Sequence, residues 1–181
     1  MARHGTPPSD KMNITVANRQ RVRKINLRRL KKITRALLAE MELEKAEIGI
    51  CLVGAPEMTR LNESFLKHRG STDVITFDYA ETGRAGSPLP AGGAHGVTRP
   101  TIDGEIFVCV DVAVLQARKF GTSWQSEVVR YLVHGVLHLT GFDDSSAGAR
   151  RKMKREENRR LGGLSRRFTL AQLSHPARIP A

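Results

Sequence analysis

Apolar residues recur along this 181-residue chain with two periods, which predict a sheet and a set of helices. Alternating or continuous apolar runs predict four short strands, over residues 13–18, 47–54, 73–79 and 105–111. Apolar residues at helical spacing predict about five helices, over residues 27–42, 56–67, 111–119, 122–140 and 146–161. Because strands and helices do not alternate strictly, the pattern predicts an α+β fold with a mixed four-stranded sheet.

Local signals predict where several of these helices begin and end. Asn26 can cap the first helix, and Thr122 with Gln125 forms a capping-box signature for the fourth. Gly141 can adopt the left-handed conformation that ends the fourth helix. The pair Gly162-Gly163 is expected to end the fifth helix.

The remaining segments predict one domain with irregular ends. Residues 1–12 are polar, contain two prolines and are expected to be a disordered start. Residues 80–103 are rich in Gly, Pro and Ala and are expected to form a long flexible loop. Residues 168–181 are expected to form a loose tail. The length is typical of a single domain, which we place over residues 13–167.

Composition indicates a soluble protein. The hydrophobic share of 40% is sufficient for a core, and the aromatic share of 5% means that aliphatic side chains must build most of it. No apolar run approaches the roughly 18–20 residues that span a bilayer, and the first residues contain no apolar signal segment. Cys51 and Cys109 lie in apolar runs without metal-ligand spacing, which predicts buried free thiols. A cytoplasmic location is expected.

Positive charge is concentrated in two clusters, and the formal net charge is +12. The first cluster comprises Arg19, Arg21, Arg23, Lys24, Arg28, Arg29, Lys31 and Lys32. The second comprises Arg150, Arg151, Lys152, Lys154, Arg155, Arg159, Arg160, Arg166 and Arg167. Such clusters attract polyanions, which favours a nucleic-acid partner over an anionic membrane. The alternative is that both clusters are merely solvated faces of helices.

Candidate chemistry lies in the segment YLVHGVLHLTGFDD. His134 and His138 are four residues apart on the fourth predicted helix, so both imidazoles project from one face. Gly141 can turn the chain back, so that Asp144 approaches the two histidines. We predict that these three residues bind one metal ion, most simply zinc. Three protein ligands leave a coordination position open for water, which is typical of catalytic zinc sites.

Alternative interpretations exist for parts of this segment. A histidine pair at this spacing also arises by chance, and an aspartate before a helix often serves as its cap. We assign the capping role to Asp143 rather than to Asp144. Gly135 follows His134 where a zinc peptidase of the HExxH type has glutamate, which argues against that class. The ligand set also suits an iron(II) oxygenase, but no cosubstrate motif is visible.

The same segment resembles a known family signature. HGVLHLTGFDD is similar to HGxLHLxGYDH of the YbeY family, single-domain bacterial metalloproteins regarded as endoribonucleases in ribosomal RNA maturation and ribosome quality control. The resemblance extends over about residues 47–145. Further matching positions are Leu61, Asn62, Thr72, Asp73, Val74, Phe77, Gly104, Glu105, Ile106, Gln116, Ala117 and Glu127.

The resemblance implies a cleft with a metal ion at its floor, and two positions depart from the family pattern. Asp144 occupies the position of the third ligand, which is usually histidine; a carboxylate also binds zinc, and iron or another divalent metal becomes possible. Leu66 stands where the family usually has an arginine thought to contact RNA. Lys67, His68 or Arg69 are candidates to supply the missing charge.

The resemblance and the charge together predict a metal-dependent endoribonuclease that acts on single-stranded ribosomal RNA in 16S rRNA maturation and ribosome quality control. The predicted catalytic group is metal-bound water without a certain side-chain base, and His68 and Arg69 are further candidates. The residues predicted to bind RNA are Arg28, Arg29, Lys31, Lys32 and Arg69. The alternatives are a non-catalytic ribosome-assembly factor with a structural metal and a metallohydrolase of another class. The oligomeric state stays open.

Overall fold

Four strands form one mixed sheet in the computed structural model, which describes residues 11–43, 45–80 and 101–174. The strands are β1 (Met12–Asn18), β2 (Lys45–Val53), β3 (Val74–Asp78) and β4 (Thr101–Cys109). Their order is β1-β2-β4-β3; β2 is parallel to β1 and to β4, whereas β3 is antiparallel to β4. The predicted mixed four-stranded sheet is confirmed.

Five α-helices occur in the described part of the chain, as predicted. They are α1 (Leu27–Glu40), α2 (Ala55–Leu61), α3 (Val110–Phe120), α4 (Trp124–Leu139) and α5 (Ala147–Arg167). The second predicted helix differs in its last turn, which is a π-helical segment over Asn62–Leu66. A short 3-10 helix covers Leu170–Leu173. Among the described residues, no helix is both long and apolar enough to cross a membrane.

Both faces of the sheet are buried. Side chains of neighbouring strands in register point to the same side, so each face presents its own set of apolar residues. One face contacts α1 and α4 and forms the larger core, with Ile14, Ile48, Ile50, Ile106 and Val108 nearly inaccessible to solvent. The other face forms a smaller core beside α2. Cys51 and Cys109 are free and buried in this smaller core, as predicted.

Helix α4 lies unusually close to the sheet because two glycines face the contact. A Cβ atom added to Gly135 of α4 would lie 2.7 Å from Cγ2 of Ile106, which is fully buried. A Cβ atom added to Gly104 of β4 would lie 2.3 Å from the carbonyl oxygen of Phe77 and 2.7 Å from Leu139. Side chains at these positions would push α4 away from the sheet.

The last described residues, 168–174, depart from the expectation of a loose tail over residues 168–181. Helix α5 continues through Gly162 and Gly163 to Arg167, because its apolar stripe extends to Leu164, which is fully buried. Residues 168–174 then pack back onto the domain: Leu173 is buried and Ser174 forms a β-bridge with Ile25. Packing against the core therefore outweighs the low helix propensity of glycine.

Other expected boundaries shift by a few residues. Asn26 caps α1 as predicted, its side chain accepting a hydrogen bond from Arg29 N at 3.0 Å. Ser123, not Thr122, caps α4. The predicted disordered start overlaps the structure only at its end, where Met12 already belongs to β1. The predicted loop over residues 80–103 extends too far, because β4 already begins at Thr101. The rest of that loop, over residues 81–100, lies outside the described residues, as do residues 1–10, 44 and 175–181.

We expect Gly135→Ala to destabilise the protein, because its added methyl group has no space against Ile106. The free energy of unfolding should fall by about 1–3 kcal/mol, as is usual for overpacked cores. Thermal and urea unfolding measure this loss. Gly148→Ala is the matched control, since a Cβ atom there meets only Ser146 Oγ at 4.0 Å. Equal stability of the two variants would contradict the importance of this close contact.

Candidate metal centre

Helix α4 carries both candidate histidines on one face, one turn apart. His134 and His138 are partly buried, and their rings meet edge to face with centroids 4.6 Å apart. Their Nε2 atoms are separated by 3.0 Å. The helical spacing predicted this proximity, and the close packing of α4 on the sheet fixes the helix that carries both rings.

The turn after α4 brings Asp144 to the two histidines. Gly141 has φ 91° and ends the helix in the left-handed region, as predicted. Its N–H donates to the carbonyl oxygen of His138 at 2.9 Å, and Phe142 N–H donates to that of Leu137 at 3.0 Å. Ligand atoms of His134, His138 and Asp144 all lie within 4.8 Å of one another. These three residues could therefore hold a metal ion.

The hydrogen bonds at the other ring nitrogens define the histidine tautomers. Nδ1 of His138 lies 3.1 Å from the carbonyl oxygen of Phe142, and Nδ1 of His134 lies 3.4 Å from Oε2 of Glu157. Carbonyl and carboxylate oxygens only accept hydrogen bonds, so each Nδ1 must carry the proton. In the neutral rings both Nε2 atoms then present lone pairs to the same point. A cation between them relieves this repulsion.

The geometry and the donor chemistry fit a zinc-sized ion. Two nitrogens on tetrahedral zinc, at about 2.0–2.1 Å from the ion, lie roughly 3.3 Å apart, close to the observed 3.0 Å. Burial lowers the pKa of His138, and the charge of His134 lowers it further, so the neutral metal-binding form is favoured. Two histidines and one carboxylate also fit iron(II), so the residues do not distinguish between these metals.

Glu157 of α5 orients His134 and is itself held by two cations. Its carboxylate accepts hydrogen bonds from Arg130 and from Lys154, the latter at 2.8 Å. Although burial raises the pKa of Glu157, the hydrogen bonds from His134, Lys154 and Arg130 lower it to about 2. A charged carboxylate behind a ligating histidine orients the ring and raises its basicity.

Sequence reasoning missed Glu157, although a signal was available. The buried stripe of α5 consists of Met153, Glu157, Leu161 and Leu164. An acidic residue within such a stripe must be paired, because an unpaired buried carboxylate is costly. Its partner, His134, lies 23 residues away and belongs to another helix, so the pattern alone could not identify it.

Asp143 was assigned the wrong structural role. Ser146 is the cap of α5, its hydroxyl oxygen accepting a hydrogen bond from Ala149 N at 3.1 Å. Asp143 instead accepts hydrogen bonds from the backbone N–H and the hydroxyl of Ser145, and the hydroxyl bond contributes most to lowering its pKa. It therefore stabilises the turn that carries Asp144.

A cleft of about 550 Å³ opens beside His134. Helices α3, α4 and α5 line it together with Asp73, which precedes β3. Its walls carry three cations, Lys119, Arg130 and Lys154, and three carboxylates, Asp73, Glu127 and Glu157. Of the three candidate ligands, His134 lines this cleft, and a metal ion at the cleft floor stays a prediction.

The turn before β3 lies apart from this cleft. His68 and Arg69 are exposed, and neither lines the cleft in the described part of the chain. Asn62 is buried, and its Nδ2 donates to the carbonyl oxygen of Gly70 at 2.8 Å, which closes the turn. Leu66 packs against the smaller core on the sheet face opposite α4. The structure does not bring His68 or Arg69 together with the candidate metal ligands.

The two basic clusters differ in the structure. In α5, Arg159 and Arg160 pair with Glu156, and Lys154 pairs with Glu157. In α1, Arg28, Arg29, Lys31 and Lys32 form no ion pair with any described residue. Arg28, Arg29 and Lys32 line a groove of about 700 Å³ between α1 and residues 171–174. Arg29 also stacks on Phe168, with its guanidinium carbon 5.1 Å from the ring centroid.

The fold and the site together define a small α+β protein with a candidate His-His-Asp metal centre beside an open cleft. The family model for endoribonuclease YbeY matches residues 14–165. The chain belongs to the YbeY family, so the resemblance found in the sequence is confirmed.

Individual relatives match over much of their length. An endoribonuclease YbeY of Salinibacter ruber is 36% identical over 117 residues, covering 65% of this chain and 69% of the relative. One of Thermobifida fusca is 32% identical over 156 residues, covering 86% of this chain and 96% of the relative. The solution structure of TM1509 from Thermotoga maritima has a TM-score of 0.53 at 25% identity and covers 91% of this chain and 99% of that one.

We expect Asp144→Ala to weaken metal binding at least about tenfold, because it removes one of three protein ligands. Asp144→His should retain the metal, since imidazole is an equivalent donor. Asp143→Ala is the matched control and should keep the metal while destabilising the turn. Titration of each folded variant with zinc measures the affinities. Loss of metal in Asp143→Ala but not in Asp144→Ala would show that the ligand assignment is wrong.

Replacement of Glu157 tests the role of the hydrogen bond between its carboxylate and Nδ1 of His134. We expect Glu157→Gln to weaken metal binding about 10–100-fold, because the ring loses the charged acceptor that orients it. Glu156→Gln is the control, since Glu156 contacts Arg159 at 2.8 Å and Arg160 at 2.7 Å but no candidate ligand. Both variants lose one negative charge from α5, so equal metal affinities would argue against orientation by Glu157.

Proposed function

We propose that this protein is a metal-dependent endoribonuclease that cuts single-stranded ribosomal RNA in 16S rRNA maturation and ribosome quality control. Family membership supports an RNA substrate, since the relatives bear the name endoribonuclease YbeY. The observation that carries the proposal is the pair of Nε2 atoms 3.0 Å apart, on a helix whose His134 lines a cleft. It places a site suited to a cation beside a space into which Lys119 can bring a positive charge that no described carboxylate pairs.

His134, His138 and Asp144 would hold one zinc ion, or iron or another divalent metal, with at least one position open. When bound, the ion supplies Lewis-acid chemistry, polarising a phosphoryl oxygen and activating water. Groups of the protein orient the two histidine rings that would bind the ion. Glu157 holds His134 in the required tautomer, and the Phe142 carbonyl does the same for His138. No side chain is assigned as the general base.

Substrate binding would use both the cleft and α1. Arg28, Arg29, Lys31 and Lys32 lack ion-pair partners among the described residues, so they are free to neutralise phosphates. Flexible single-stranded RNA enters a cleft more easily than a duplex does. Such a protein would act on ribosomes in the cytoplasm.

The catalytic roles of His68 and Arg69, and the contact of Arg69 with RNA, stay predictions. Both side chains are exposed and lie outside the cleft. A contact with RNA that extends beyond the cleft is compatible with this position. His68→Ala or Arg69→Ala should lower turnover without releasing metal if either residue acts in catalysis.

A cleavage assay with chelator tests the proposed function. We expect the purified protein to cut labelled single-stranded RNA but not casein, and to lose this activity with chelator while its circular dichroism spectrum is largely unchanged. Elemental analysis of the same preparation identifies the metal. RNA binding without cleavage, combined with unfolding by chelator, would instead indicate a ribosome-assembly factor with a structural metal. Cleavage of casein alone would indicate a peptidase.

We expect the basic residues of α1 to contribute sequence-independent affinity. Replacing Arg28, Arg29, Lys31 and Lys32 by glutamine should weaken binding equally across RNA sequences. The slope of log affinity against log salt should flatten by about 0.7 for each phosphate that the variant no longer neutralises. Arg159→Gln is the control, because Arg159 is paired with Glu156. An unchanged slope in the fourfold variant would show that this face is only solvated.

A further inference from the structure

The cleft beside His134 contains groups that neither the fold nor the candidate metal centre uses. Its volume of about 550 Å³ falls in the range of roughly 300–1,000 Å³ that is typical of small-molecule sites. Its walls come from the end of α3, from α4 and from α5. Of the three candidate metal ligands, the cleft reaches His134, so a ligand within it would lie beside that residue.

An exposed aromatic ring lies on the wall of this cleft. Phe120 is the last residue of α3 and is 65% exposed, because Gly121 ends the helix in the left-handed region. The exposed large apolar side chains of the described residues are Phe65, Leu115 and Phe120. Phe120 alone of these three lines the cleft. Exposed aromatic rings at such sites commonly serve as platforms for unpaired bases.

Two uncharged polar groups on the walls have no partner in the described part of the chain. Oε1 of Gln116 is buried without a hydrogen bond. The hydroxyl of Tyr131 likewise has no partner among the described residues, and burial raises its pKa, so it stays a protonated donor. The buried oxygen of Gln116 is costly without a partner. An amide and a phenol can together recognise the donors and acceptors on the edge of a base.

A cation lies close to the aromatic ring. The Nζ atom of Lys119 is 5.4 Å from the centroid of Phe120. Unlike Lys154 and Arg130, which are engaged by Glu157, Lys119 forms no ion pair with any described residue. It is therefore free to contact the phosphate of a nucleotide whose base contacts Phe120.

We propose that this cleft is a base-binding subsite for one unpaired nucleotide adjacent to the phosphate that is cut. The base stacks on Phe120, its edge hydrogen-bonds to the amide of Gln116 and the hydroxyl of Tyr131, and Lys119 contacts its phosphate. This inference rests on the proposed endoribonuclease function and adds to it a contact that reads the base next to the cleavage point.

A base-deletion experiment tests the subsite. The probe is a fluorescent eight-nucleotide RNA with 2′-O-methyl sugars and phosphorothioate linkages, which is bound but resists cleavage. Versions with one abasic nucleotide at each position reveal which base contributes to affinity, measured by anisotropy with the full chain. Phe120→Ala removes the platform without opening the core, because the ring is already exposed. Leu115→Ala is the control, since it shortens a side chain of α3 that is 61% exposed and outside the cleft.

We expect one base to contribute at least fivefold to the affinity of the unaltered protein and of Leu115→Ala. Phe120→Ala should bind the complete probe about tenfold more weakly, and deletion of that base should then have no further effect. Gln116→Leu should weaken the preference for that base and leave the salt dependence unchanged.

Three results would overturn the proposal. The first is the same base dependence in Phe120→Ala as in the unaltered protein. The second is a protein that binds and cuts RNA without dependence on any single base; the subsite would then be wrong, while the proposed function would stand. The third is the absence of RNA binding in the unaltered protein, which would overturn both.

Discussion

The close contact between α4 and the sheet is the constraint on which the rest of the site depends. Because Gly104 and Gly135 have no side chains, α4 can pack directly against β3 and β4. A Cβ atom at either position would collide with the opposite element. Gly135 follows His134 directly, so the residue that permits this contact also fixes the rotation of the helix. The histidines are therefore left at the side of the helix, where His134 contacts Glu157 of α5.

Sequence reasoning succeeded where the signal was local. The helical spacing of His134 and His138, the reversal at Gly141 and the strand patterns depend on residues a few positions apart, and these were predicted correctly. It failed where tertiary packing decides between local alternatives. Asp143 and Ser146 are both good caps, and only the path of the turn determines that Ser146 is used.

The two basic clusters differ in the acidic residues beside them, a local difference that sequence reasoning overlooked. Both contain arginines and lysines at similar density, but α5 includes Glu156 and Glu157, which neutralise several of its cations. The groove beside α1 needs residues 171–174, which pack onto the domain through buried Leu173. Because the sequence predicts a loose segment there, it gives no indication of the groove.

The candidate metal ligands and the groups that orient them all lie between residues 134 and 157. Contacts between residues so close along the chain require less loop-closure entropy than pairing β2 with β4, whose register partners, such as Lys45 and Thr101, are 56 residues apart. The chain that joins the ligands therefore contains no strand, although the helix that carries the histidines packs on the sheet. A change in the length of the chain between β3 and β4 alters the entropy of forming the sheet and leaves the chain between the ligands unaltered.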